Sequence, residues 1–236
     1  MTMLTQRTLH AERMDDPNVD RDQLARSLGF LRTINHRLGG VSALLKPLRR
    51  WSGNWDQNQT IRILDVGTGS ADIPLAVVNW AHRHNLRMHV TAVDNHETTL
   101  DLAKQYIGDR DEIELVRADA TQLGDVYEDN TFDYAHAGLF LHHLSDIEVM
   151  TVLRIMQRLA RRAVIWNDLV RGALPKMGVW LATLGASQIV RHDGLVSVDA
   201  GFTKREAVDL AHRVGLLNPQ FQKHMIYRFT LISETT

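Results

Sequence analysis

Leu64-Asp65-Val66-Gly67-Thr68-Gly69-Ser70-Ala71-Asp72 decides how the rest of this chain is read. The apolar run Ile61-Arg62-Ile63-Leu64 leading into it has the character of a buried strand. An acid closes the strand, a Gly-x-Gly-x-Ala turn follows, and Pro74 falls inside the first turn of a helix. Glycine opens backbone angles closed to other residues and puts no side chain between the main chain and a ligand. Strand, glycine turn and helix N-terminus in that order make the ligand end of a doubly wound α/β sheet.

Outward from this point the pattern alternates. Strands are expected at 61–66, 87–94, 112–118, 132–137 and 162–167, with helices near 72–84, 96–106 and 145–160 between them. Such alternation predicts parallel strands joined by right-handed crossovers. Residues 169–201 break the rhythm with a helix near 175–187 and a loop, Arg191 to Asp199. A helix over 203–214 and two strand-like runs, Gln220–Lys223 and Ile226–Ser233, follow. The short turn between those runs predicts an antiparallel hairpin. Before the sheet, residues 1–19 show no period and read as a loosely held arm. Asp20 and Gln23 form a capping pattern ahead of Leu24, Leu28, Leu31, Ile34 and Leu38, and Gly39-Gly40 stops that helix. A second short helix carries Val41, Leu44, Leu45, Leu48 and Trp51, and Ser52–Gln59 is the linker candidate. The expected organisation is an arm and helical cap over 1–59, then a ligand-binding domain over 60–236 with a lid insertion near 169–201.

Composition narrows the function classes. Hydrophobic residues make up 44% and charged residues 23% of the 236, which fits an ordinary folded domain. A formal charge of −1 gives no general pull toward nucleic acid or an anionic membrane. The absence of cysteine excludes disulfides, thiol catalysis and zinc–thiolate sites. Neither a signal peptide nor a membrane span is expected, since the most apolar segment, 177–186, is about half the length a bilayer needs. A cytoplasmic location is the expectation.

The ligand itself is narrowed by charge. A dinucleotide fingerprint would place its third glycine at position 72, where this chain has Asp72. A carboxylate at the helix N-terminus repels the pyrophosphate that would lie there. Asp94, with Asn95 after it, ends the next strand about 20–25 residues past the glycines, where an acid can bridge two ribose hydroxyls. Asp119-Ala120 ends the strand after that, within reach of an adenine amino group. One acid near a cationic tail (Asp65), one on a ribose and one on a base suit S-adenosylmethionine, with Gly67, Thr68 and Gly69 forming the cradle.

Leu64–Ala71, Asp94, Asp119-Ala120, and Phe132-Asp133 through Leu141-His142-His143-Leu144 resemble the ordered motifs of class I S-adenosylmethionine-dependent methyltransferases. The resemblance is greatest to the small-molecule branch that includes ubiquinone and menaquinone biosynthesis enzymes, and it covers roughly 60–168. It implies a doubly wound, mostly parallel seven-stranded sheet with a Rossmann-like core and a small N-terminal helical cap. Asn167-Asp168-Leu169 with Arg191-His192-Asp193-Gly194 resembles a narrower bacterial subset linked with aromatic polyketide pathways, a secondary-metabolism setting. Ala71 departs from the family, which usually has a third glycine there.

For the acceptor, Gly138-Leu139-Phe140-Leu141 offers an apolar wall suited to an aromatic or lipid-like molecule. It does not match the Asp/Asn-Pro-Pro-Tyr motif that grips an amino nitrogen in nucleic-acid and protein-glutamine methyltransferases. Histidine is a sensible base for a phenol. His142 and His143 are the first candidates, with at most one facing the acceptor, and His192 beside Asp193 is the next. Asn167-Asp168 either holds an acceptor hydroxyl or makes a turn. No metal site is expected. The readings kept open are oxygen methylation, carbon methylation of a similar ring, an RNA or protein methyltransferase, and a non-catalytic cofactor-binding subunit. Met177, Val179, Trp180, Leu181 and Leu184 are open to use as lid, core or homodimer contact, and Arg154, Arg158, Arg161 and Arg162 read as a solvated helix face.

Overall fold

The computed structural model describes residues 7–16, 18–224 and 227–235. Ile226 of the expected last strand, and residues 1–6 and Pro17 of the expected arm, lie outside them. Seven strands form one sheet: β1 Thr60–Val66, β2 Arg87–Asp94, β3 Ile113–Arg117, β4 Phe132–Gly138, β5 Ala160–Leu169, β6 Gln220–His224 and β7 Arg228–Glu234. Their order is β3-β2-β1-β4-β5-β7-β6, with the first five parallel. β7 runs antiparallel to both β5 and β6, so the expected closing hairpin is present.

The flanking helices are α1 Arg21–Arg37, α2 Gly40–Ser52, α3 Asp72–Arg83, α4 Glu97–Ile107, α5 Leu123–Val126, α6 Asp146–Leu159, α7 Ala173–Ala182, α8 Gln188–Ala200 and α9 Lys204–Arg213. Successive β1 residues serve opposite faces, and both faces are covered. Ile61 and Ile63 pack with Leu44, Leu48 and Trp80, whereas Leu64 and Val66 join the core beneath α6 and α9. That is why β1 reads as a continuous apolar run rather than as an alternation. Val149, Val152, Leu153, Met156 and Leu159 form the buried face of α6, whose start is held by the Ser145–Glu148 capping box. Asp20 accepts the Gln23 N–H at 3.0 Å and caps α1.

Three expectations are corrected. The expected loop 191–199 is helical: it lies inside α8, capped by Ser187. The described part of the arm is not loose. Arg7 donates to the carbonyls of His142, Leu144 and Ala200 and pairs with Asp146, while Asp193 accepts the backbone N–H groups of Arg13 and Met14. Arg161 and Arg162 do not point to solvent as a free face. Both clamp the fully buried Asp133, which also accepts the Arg62 N–H.

Because β4 returns to the side of β1 opposite β2, a crevice opens at the carboxyl ends of these strands. A topological switch of this kind is where doubly wound sheets hold their ligands.

Candidate functional site

Beyond Val66 the chain turns sharply, with Gly67 at φ 69°, Gly69 at 55° and Ala71 at 53°. A Cβ on Gly67 would stand 2.3 Å from the Phe140 ring, so only glycine fits. Ala71 holds the same left-handed geometry at a cost of about 1–2 kcal/mol. The turn is tied to β2 twice: the Thr68 N–H donates to the Val93 carbonyl and the Gly69 N–H to Asp94 Oδ2, both at 2.9 Å. Asp94 Oδ1 accepts the His96 N–H at 3.0 Å. Burial raises the Asp94 pKa above the ordinary carboxylate value, against the lowering effect of those two N–H donors.

Gly67, Thr68, Gly69, Asp94, Asn95, Asp119 and Ala120 all line one cavity of about 700 Å³, within the usual size of ligand sites. Asp119 sits exposed at its rim, accepting the Thr121 N–H and hydroxyl. Asp65 lies elsewhere. It is buried one layer beneath the turn, with one oxygen 2.5 Å from His136 Nδ1 and the other accepting the Thr68 hydroxyl at 2.7 Å. Its place is below the cavity wall, where it braces the turn. The acid on the wall is Asp72, buried, with Oδ2 unpaired and a pKa raised by burial. The sequence reading assigns this place to Asp65, and the structure puts Asp72 there instead.

At the other end of the cavity, a single helical turn, Leu141–His143, carries both histidines. His142 is buried, with Nδ1 2.6 Å from Asp168 Oδ1 and Nε2 3.6 Å from Glu12 Oε1. Burial alone would depress its pKa, but Asp168 and Glu12 outweigh it and push it up to about 10. His143 is partly open to the cavity, with Nδ1 3.0 Å from Asp15 and Nε2 3.9 Å from Glu12. Glu12 is itself buried, hydrogen-bonded by Ser197. Burial raises its pKa, and the two imidazoles reverse that to a net lowering.

Asn167 and Asp168 are not a turn. Both are fully buried in β5, Asn167 accepting from Arg228 and Asp168 holding His142 and the Trp166 indole. His192 stands off the cavity wall, half-exposed, 2.9 Å from Asp193. Asp193 is on the wall and anchors the Arg13–Met14 backbone instead. Glu12, Asp15 and Arg228 went unread as site residues in the sequence, and Asp72 was read only as excluding a pyrophosphate. Leu28, Leu31, Ile34, Val179 and Val190 give the cavity its apolar side. Val179 faces inward from α7, while Met177, Trp180, Leu181 and Leu184 are exposed, which excludes the core for those four.

These residues fit an adenosyl sulfonium. Gly69 leaves open space, since a Cβ there would meet nothing nearer than Leu28 at 3.9 Å, Asp94 has lone pairs for hydroxyl donors, and Asp72 offers an unpaired buried oxygen to a cationic group.

Comparison with known proteins agrees. Residues 63–163 match the family described as "Methyltransferase domain". A demethylmenaquinone methyltransferase of Staphylococcus haemolyticus (strain JCSC1435) is 32% identical over 100 residues, covering 42% of this chain and 39% of that protein. The matched stretch is thus well under half of that curated relative. Among solved structures, a SAM dependent methyltransferase from Aquifex aeolicus superposes with TM-score 0.55 at 14% identity, covering 80% of this chain and 89% of that one. The CurJ carbon methyltransferase gives 0.66 at 11% identity, covering 94% and 63%. Residues 63–163 therefore match a methyltransferase-domain family, and the chain shares its fold with solved S-adenosylmethionine-dependent methyltransferases.

Proposed function

We propose that this chain transfers a methyl group from S-adenosylmethionine to a hydroxyl oxygen of an apolar, aromatic small molecule such as a phenolic polyketide or quinone-like compound. One observation carries the reading: the glycine turn and the His142–His143 turn face the same cavity, whose remaining side is apolar. The Staphylococcus relative, named for demethylmenaquinone, is in keeping with a ring acceptor of that kind.

When bound, the cofactor supplies an electrophilic methyl on a positively charged sulfur, which departs as a neutral thioether. The reaction is an in-line displacement, so the protein's main task is alignment. Orientation of reactants accounts for about 7–11 kcal/mol in well-held cases. The apolar side chains of α1, α7 and α8 hold the ring and exclude water. His142 is buried with its Nδ1 on Asp168 and its Nε2 toward Glu12, so the base role falls to the more open His143. His143 takes the hydroxyl proton as oxygen bonds to the methyl carbon. Asp15 on its Nδ1 orients that ring.

Carbon methylation of a similar ring is the second reading. It is favoured by Glu12, a buried carboxylate beside both imidazoles that strengthens proton removal from a ring carbon. The test is incubation of methyl-labelled cofactor with phenols, resorcinols, quinols and RNA. Product mass identifies the acceptor, and NMR separates an O-methyl from a C-methyl. Label in RNA alone, or intact cofactor binding with no methylated product from any acceptor, overturns the proposal.

A further inference from the structure

Glu12, His142 and His143 each offer one ligand atom, and those atoms lie within 4.8 Å of one another. Two of the separations to Glu12 Oε1 are 3.6 Å to His142 Nε2 and 3.9 Å to His143 Nε2. Tetrahedral coordination with zinc–nitrogen bonds of about 2.0–2.1 Å places ligand atoms roughly 3.3 Å apart. The two separations to Glu12 need to close by only a few tenths of an ångström to meet this, and the third lies within 4.8 Å.

The outer contacts are the stronger sign. Each ring has its Nδ1 on a carboxylate, Asp168 at 2.6 Å for His142 and Asp15 at 3.0 Å for His143. A metal-bound imidazole almost always donates its other N–H to a carboxylate, carbonyl or water, which sets the tautomer and aims the free nitrogen. Here the Asp168–His142 hydrogen bond and the Asp15–His143 ion pair converge on one buried glutamate, which is further held by Ser197. Among the described residues, the ion-pair partners of Glu12 are these two histidines and no lysine or arginine. A buried carboxylate beside two more acids calls for positive charge at the point where the Nε2 atoms meet.

We propose that Glu12, His142 and His143 bind one divalent transition ion, of the zinc, cobalt, iron or manganese class, at the acceptor end of the cavity. Asp168 and Asp15 position the two rings. Two imidazoles and a carboxylate suit ions of this class. Three protein ligands leave a coordination position for an acceptor oxygen, whose hydroxyl a bound ion acidifies, with the proton released to water. That use rests on the methyl-transfer reading above and relieves His143 of the proton. The binding itself does not rest on that reading.

The experiment titrates Co²⁺ into the untagged full chain after chelator treatment and dialysis, with no cofactor or acceptor present. Visible ligand-field absorption is recorded, and Zn²⁺ is used to displace the cobalt. One equivalent with a saturable band is expected. Glu12→Gln and His143→Ala should each weaken binding by at least tenfold, while adenosylhomocysteine affinity and the melting curve show that both variants are folded. Asp15→Asn should weaken it by about tenfold, the lower end of what an outer-shell partner contributes. No saturable uptake at millimolar metal means the cluster holds protons alone and overturns the proposal. Equal uptake by wild type, Glu12→Gln and His143→Ala places the ion on other histidines and overturns it too. Loss of adenosylhomocysteine binding in the wild type would instead strike the methyl-transfer reading and leave the metal site standing.

Discussion

One oxygen of Asp168 lies 2.6 Å from His142 Nδ1, while the other accepts the backbone N–H of that same histidine at 3.1 Å. The carboxylate thus grips both the ring and the chain that carries it, and joins the end of β5 to the turn after β4. Breaking a buried ion pair by removing one partner costs about 3–5 kcal/mol. Asp168→Asn should lose stability in that range, read by urea unfolding with chelator present.

The pH dependence of this pair has a definite sign. The His142 pKa is raised to about 10, so its contribution is complete below the ordinary histidine value of about 6.5 and is lost as pH rises through 10. The Asp168 pKa is lowered, mainly because His142 outweighs the opposing effect of burial. Its contribution is complete above the ordinary carboxylate value of about 3.9 and is lost on further acidification. The stability gap between wild type and Asp168→Asn, in chelator, should therefore be widest near pH 5–6 and narrow toward pH 10. A gap that widens with alkali would contradict the pairing.

Gly67 faces the Phe140 ring with no room for a methyl group, at a backbone angle unsuited to other residues. Gly67→Ala should destabilise by about 1–3 kcal/mol and lower cofactor affinity. Adding Phe140→Ala should restore part of the affinity by opening that space. Calorimetry with adenosylhomocysteine on the three proteins checks both steps.

Asp94→Ala removes the acceptor for the Gly69 and His96 N–H groups as well as the proposed ribose contact. More than a tenfold loss of adenosylhomocysteine affinity is expected, about 1.4 kcal/mol or more. Unchanged affinity would remove the ribose assignment.

His143→Ala should lower turnover on a phenolic acceptor by about 100- to 10,000-fold, the usual range for loss of an acid–base group. His192→Ala should leave turnover near wild type, since that ring stands off the cavity wall. Steady-state rates with adenosylhomocysteine affinity measured alongside separate the two.

What was legible in the sequence follows from how local each signal is. The glycine turn, the alternating elements and the buried face of α6 depend on neighbours within a few residues, and their positions read through. α8 did not, because Asp193, Gly194, Ser197 and Asp199 dilute its apolar period, and its helix is held by packing on α7 and Arg7–Asp16. Glu12 was invisible for a related reason. It lies in a stretch with no period, and only folding brings it beside residues far along the chain. Asp133 looked like part of a motif, yet its charge is spent on Arg161 and Arg162. Asp65 and Asp72 flank the same turn, and which one faces inward depends on His136, a residue of the neighbouring strand.

The two ends of the cavity have different owners. The glycine-turn end is made by strand termini within the sheet, whereas Glu12 and Asp15 come from an appendage that Arg7 and Asp193 fasten in place. On the proposed reading, exchanging the leading segment would alter the acceptor end and leave the glycine-turn end intact.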